Sequence, residues 1–92
     1  MTPAELAVLE AAPPELSREA LALWHAKQGR WDAAHDIAQE IHTPLGSWIH
    51  ALLHVMEGDQ WNADYWFAKA GKPSRGPQQI DALWDEIATG VL

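Results

Sequence analysis

Five histidines, His25, His35, His42, His50 and His54, fall within one third of a 92-residue chain. His50 and His54 stand four apart, a spacing that aims both rings from one face of a helix. Glu57 follows three positions further along that face. Two imidazoles and a carboxylate make a first shell for zinc, or for iron where coordination positions stay open. His25 is expected to approach His54 from a neighbouring helical hairpin. Asp32, His35, Asp36 and Asp64 on the facing helices would add ligands or hold the first ones in place. The candidate ligand set is therefore His25, His50, His54 and Glu57, with a divalent metal, zinc or iron, as its occupant and no organic cofactor expected.

Other chemistry finds little purchase. The residues between His50 and His54 are Ala51-Leu52-Leu53, so the zincin motif, with its Glu after the first His, is absent. The sequence has no Cys, which removes thiolate ligands, disulfides and the thiol nucleophile. Ser17, Ser47 and Ser74 lack the glycine-flanked elbow of a hydrolase. The Gly71–Gly76 stretch lacks the Gly-Lys-Ser/Thr ending of a phosphate loop. No catalytic residue is assigned, and the reading leans away from an enzyme.

The elements that must position these residues are all helical. Thr2, Pro3 and Glu5 form a helix start with a capping-box partner, giving a short first helix over 3–11 that Pro13-Pro14 stops. Leu16, Ala20, Leu23, Trp24 and Lys27 recur at three and four residues and place a second helix over 15–28. Gly29 breaks it. A third helix covers 31–41, and His42-Thr43-Pro44 connects it to a fourth over 44–57 with a broad apolar stripe. Gly58-Asp59 is the next break, and a fifth helix runs over 60–70. The segment from Gly71 to Pro77 is a loop. A sixth helix over 78–88 carries Ile80, Leu83, Trp84 and Ile87, with Gly90 at its end. No segment alternates as a strand does, so the fold class is all-α in a single domain over 1–92.

An internal duplication organises this order. Gly29 and Gly58 stand 29 positions apart, and at that offset Ala22 pairs with Ala51, Leu23 with Leu52, His25 with His54 and Ala34 with Ala63. Small residues let antiparallel helices approach, and aromatics fill the seam. Ala51, Gly58, Ala63, Phe67 and Ala70, with Ala22, Gly29, Trp31 and Ala34 in the first copy, resemble the tetratricopeptide repeat over residues 16–73. The period is shorter than that family's ~34, Ala38 stands where an aromatic belongs, and Trp61 sits one place late. The chain also resembles a group of short bacterial proteins without an assigned activity, through Leu23-Trp24-His25-Ala26 and Gly71-Lys72-Pro73. The tetratricopeptide likeness implies two hairpins, about 16–41 and 45–70, flanked by the terminal helices. It also implies a role in binding a protein or peptide along a helical surface. Two hairpins are fewer than a free-standing solenoid needs, so the terminal helices, or a second copy of the chain in a homodimer, would cap them. In the repeat frame His25 and His54 stand where the family often has Tyr and His50 where it often has Leu, which gives these rings a packing role as well.

The aromatics carry the partner expectation. The chain has six Trp, and residues 65, 66 and 67 are consecutive aromatics that cannot share one helical face. Trp61 and Tyr65 are the residues expected outside the core, where Trp and Tyr dominate interface hot spots. The function expected first is thus an interaction or adaptor module, and second a His/carboxylate metal or ligand site. Six Lys+Arg against thirteen Asp+Glu give a net charge of −7, which speaks against a phosphate-backbone partner. No apolar run is long enough to cross a bilayer. The start has neither the basic patch nor the apolar run of a signal peptide, so a cytoplasmic location is expected.

Overall fold

Four of the six helices start where a side chain takes up a free backbone N–H. A computed structural model describes residues 1–92. Thr2 caps α1 (Pro3–Ala7) in a reciprocal capping box with Glu5. Ser17 caps α2 (Arg18–Lys27), accepting from the Ala20 N–H at 3.1 Å. Helix α3 spans Trp31–Ala38. Thr43 caps α4 (Pro44–Met56) through the Gly46 N–H, with Pro44 in the first turn. Asp59 caps α5 (Gln60–Ala70). A 3₁₀ turn over Pro77–Gln79 leads into α6 (Ile80–Val91).

The structure is all-helical, and its boundaries depart from the expected ones at four places. The first helix stops at Ala7 rather than residue 11: the Val8 and Leu9 N–H groups bond back only three residues, to Glu5 O and Leu6 O, and the Leu9 carbonyl, which Pro13 cannot serve, accepts from the Trp24 indole N–H at 3.0 Å. The second begins at Arg18 rather than 15, since Pro13–Leu16 closes its own turn and Ser17 does the capping. The third gives up regular geometry after Ala38, where Glu40 and Ile41 bond back only three residues, to Ile37 and Ala38. The sixth runs through Gly90 to Val91, since a glycine in a last turn costs only about 1 kcal/mol.

Helix α2 packs on α3, α4 packs on α5, and α3 joins the two pairs by lying against α4. The duplicated glycines make matching turns. Gly29 and Gly58 have φ of 79° and 86°. Arg30 N–H donates to His25 O and Asp59 N–H to His54 O, both at 2.9 Å. Gly29 and Gly58 donate to Ala26 O and Val55 O, both at 3.1 Å. This is the Schellman closure of a helix end, made twice at the offset seen in the sequence.

The last helix does not extend the row. α6 lies against α2 and α4, and α1 touches both α2 and α6. Leu83, Trp84, Ile87 and Ala88 are buried on it, and the Trp84 indole N–H donates to Leu23 O at 2.9 Å. A single core results, with Leu6, Leu23, Ala34, Leu52, Phe67 and Leu83 contributed by the six helices in turn. No helix is long and apolar enough to cross a membrane.

Candidate metal centre

Helices α3 and α4 meet at a cluster of three histidines. His35 Nε2 and His50 Nε2 are 2.9 Å apart, so one ring donates a proton that the other accepts. His54 joins them, and one ring nitrogen from each of His35, His50 and His54 lies within 4.8 Å of the others. His50 and His54 are on α4, as their spacing requires, and both are buried; His35 reaches them from α3 and is half-buried.

Glu57 fixes one of the three. His54 Nδ1 lies 2.6 Å from Glu57 Oε2. A carboxylate only accepts, so Nδ1 carries the proton and Nε2 keeps its lone pair for the cluster. This is the carboxylate–imidazole relay that commonly orients metal-binding histidines.

Two indoles enclose the rings. Trp31 stacks on His35 with centroids 4.8 Å apart and planes 12° off parallel, and its N–H is anchored on Leu53 O at 2.6 Å. Trp66 of α5 stacks on His50 at 3.9 Å and 16°. His50 in turn stacks on His54 at 4.9 Å. The cluster is therefore walled by apolar rings, a setting that strengthens electrostatic interactions within it.

Burial, followed by the repulsion of an imidazolium by His35 and His54, lowers the pKa of His50 from 6.5 to about 4. His25 is shifted the same way, by burial first and the Arg30 charge second. His50 is thus neutral in the fold at neutral pH and protonatable once unfolded. The unfolded chain takes up that proton first, so stability is full above pH ~6.5 and falls as pH drops from there towards ~4. For metal-free protein the loss from His50 reaches about 3 kcal/mol. Urea unfolding from pH 8 to 4.5 should show it, with His50→Gln flattening the upper part of the profile. A wild-type profile already flat between pH 6.5 and 5, above the carboxylate range, would contradict it.

The residues singled out from sequence divide into two groups. His50, His54 and Glu57 come together. His25 stays out of the cluster: its Nδ1 accepts from Arg30 Nε at 3.0 Å, and its ring packs beside Trp24. His35, expected as an added ligand or as a support for the others, is the third ring of the cluster. Its signal was available, since it lies one turn after Trp31 on a helix facing α4. Asp32 and Asp36 are exposed, and Asp64 is engaged by Ser74 and Gln60, whose hydrogen bonds lower its pKa. A second acidic group, His54, Glu57 and Asp59, is also close enough for a cation. There, however, Asp59 is the cap of α5, accepting from the Asn62 N–H and side-chain amide. Trp61 and Tyr65 both stand on the outer side of α5, 85% and 56% exposed.

No known protein family's sequence profile matches the chain, and no curated protein or solved structure is significantly similar to it.

Proposed function

We propose that the protein binds a divalent transition metal, zinc first, through His35, His50 and His54. The observation that supports this most is the convergence of three imidazole nitrogens, with Glu57 held against Nδ1 of His54. A tetrahedral zinc with bonds of about 2.0–2.1 Å sets its ligands about 3.3 Å apart. The nitrogens lie between 2.9 Å, for one pair, and at most 4.8 Å, so side-chain adjustments suffice. The proton shared by His35 and His50 is the one the cation would displace. Iron sites of the open kind use a carboxylate on the metal, whereas Glu57 is occupied behind His54, which favours zinc. Three protein ligands leave a fourth position for water, whose pKa the metal lowers.

The test is a titration of chelator-stripped protein with cobalt(II) as the visible stand-in, followed by displacement with zinc. A tetrahedral absorption band saturating at one metal per chain, and lost in His35→Leu and His54→Leu, supports the reading. Absence of a saturable band in wild type overturns it.

A second observation favours an interaction role. α5 packs chiefly against α4, leaving Trp61 and Tyr65 four apart on an exposed face. This pair fits the apolar surface of another protein, and a second copy of the chain is the occupant to test first. Trp61→Ala is expected to shift unfolding stability by less than about 0.5 kcal/mol, because the side chain supports no core. It is also expected to weaken self-association in sedimentation velocity. A wild-type chain that stays monomeric at every concentration overturns the dimer.

A further inference from the structure

Beside the imidazole cluster, and sharing only His50 with it, lies a cleft of about 420 Å³ between the α3–α4 connector, the first turns of α4, and α5. Its shape depends on Gly46. The connector passes so near that a Cβ built on Gly46 would meet the Ile41 carbonyl oxygen at 2.0 Å. Only a residue without a side chain lets the connector close in this way, so the wall is fixed by backbone packing.

The lining differs from the rest of the surface. The chain has thirteen Asp and Glu against six Lys and Arg, yet no carboxylate lines this cleft. Its one permanent charge is Lys69, whose ammonium has no ion-pair partner and sits 5.2 Å from the centre of the Trp66 ring. Ser47 also faces it, 8% exposed, and its hydroxyl makes no hydrogen bond within the protein. That hydroxyl stays open to solvent and is free to donate to a ligand. His50, 5% exposed, adds a neutral ring to the wall. Ala38, Ile41 and Trp66 supply apolar surface. A hollow that sets apolar patches beside a few convergent polar groups can hold a small molecule.

We infer that this cleft binds a small carboxylic acid with an apolar body, its carboxylate between Lys69 and the Ser47 hydroxyl and its body against Trp66 and Ile41. A single lysine in a cleft without carboxylates selects a monoanion. The flat indole and the aliphatic patches favour an aromatic or compact aliphatic body over a sugar. The inference stands apart from the metal reading, because neither His35 nor His54 lines the cleft.

The probe is benzoate, with benzamide as its neutral counterpart, titrated into full-length protein in excess chelator so that no metal mediates binding. The readout is the NMR shift of the Ser47 amide and the Trp66 indole N–H. A ligand of this size is expected to saturate with Kd of ~0.1–10 mM. Benzoate should bind more tightly than benzamide. Lys69→Gln, at an exposed position, should weaken benzoate about fivefold and leave benzamide unchanged. Ser47→Val should weaken both. Equal affinity for the two probes, no change in Lys69→Gln, or shifts confined to the Trp61–Tyr65 face would each overturn the inference.

Discussion

Zinc at about one hundred times its dissociation constant should raise the melting midpoint of chelator-stripped protein by roughly 10–20 °C. A ligand that binds only the folded state stabilises it by mass action, about 2.7 kcal/mol at that ratio. In a domain of this size each kcal/mol moves the midpoint by roughly 4–8 °C. The three imidazoles come from two helices, α3 and α4, so unfolding disperses them and the metal discriminates strongly between the two states. His54→Leu removes one ligand and the anchor of Glu57 together, and the rise should vanish. Glu57→Gln is the finer probe. It leaves three nitrogens in place and removes only the charge behind His54, so affinity should fall ten- to one-hundredfold. A rise of equal size in wild type and His54→Leu would locate the metal elsewhere, and no rise with zinc would sink the proposal.

Trp84→Ala should cost about 3–5 kcal/mol in urea unfolding, the range for removing a large buried aromatic. That is a large part of the ~5–15 kcal/mol by which small domains are stable. Trp84 is 2% exposed, donates to Leu23 O, and carries the Lys27 ammonium 4.2 Å from its ring centre. It is the rivet that holds α6 to α2. Trp84→Phe separates the contributions by keeping a ring and deleting the donor, and should cost about 1 kcal/mol from the hydrogen bond, plus any loss of packing. A Trp84→Ala loss below about 1 kcal/mol would mean that α6 contributes little to the fold.

Helix positions were legible because caps and glycine breaks are local signals. Ser17, Thr43 and Asp59 each hold their helix start through a contact three residues away, and the offset of Gly29 and Gly58 reappears as two identical turns. What the sequence concealed is what comes from another part of the chain. The first helix reads as longer than it is because the docking of its end on α2, where the Leu9 carbonyl accepts from Trp24 fifteen residues on, leaves no local signal. The approach of His25 to His54 expected from the duplication is not made, for a related reason. His25 and His54 are equivalent in the duplication, and both do sit at equivalent turns. Equivalent positions are displaced by one hairpin along the structure, however, and need not touch. Contact belongs to neighbouring, inequivalent helices, and it is His35 on α3 that faces His50 and His54 on α4. Trp61 and Tyr65 could be read as exposed because three consecutive aromatics cannot all turn inward.

The packing of α6 on α2 and α4 also bears on competition. Its partner helices lie on the same chain, tied by a short connection pinned where Gln60 Nε2 donates to Arg75 O and Arg75 pairs with Glu86. Such a tether holds α6 at an effective concentration on the order of millimolar or above. A foreign helix seeking the same strip would compete with a resident that cannot diffuse away. It would bind with its intrinsic association constant multiplied by the small fraction of molecules in which α6 is detached, and the strip is in effect reserved for the protein's own last helix.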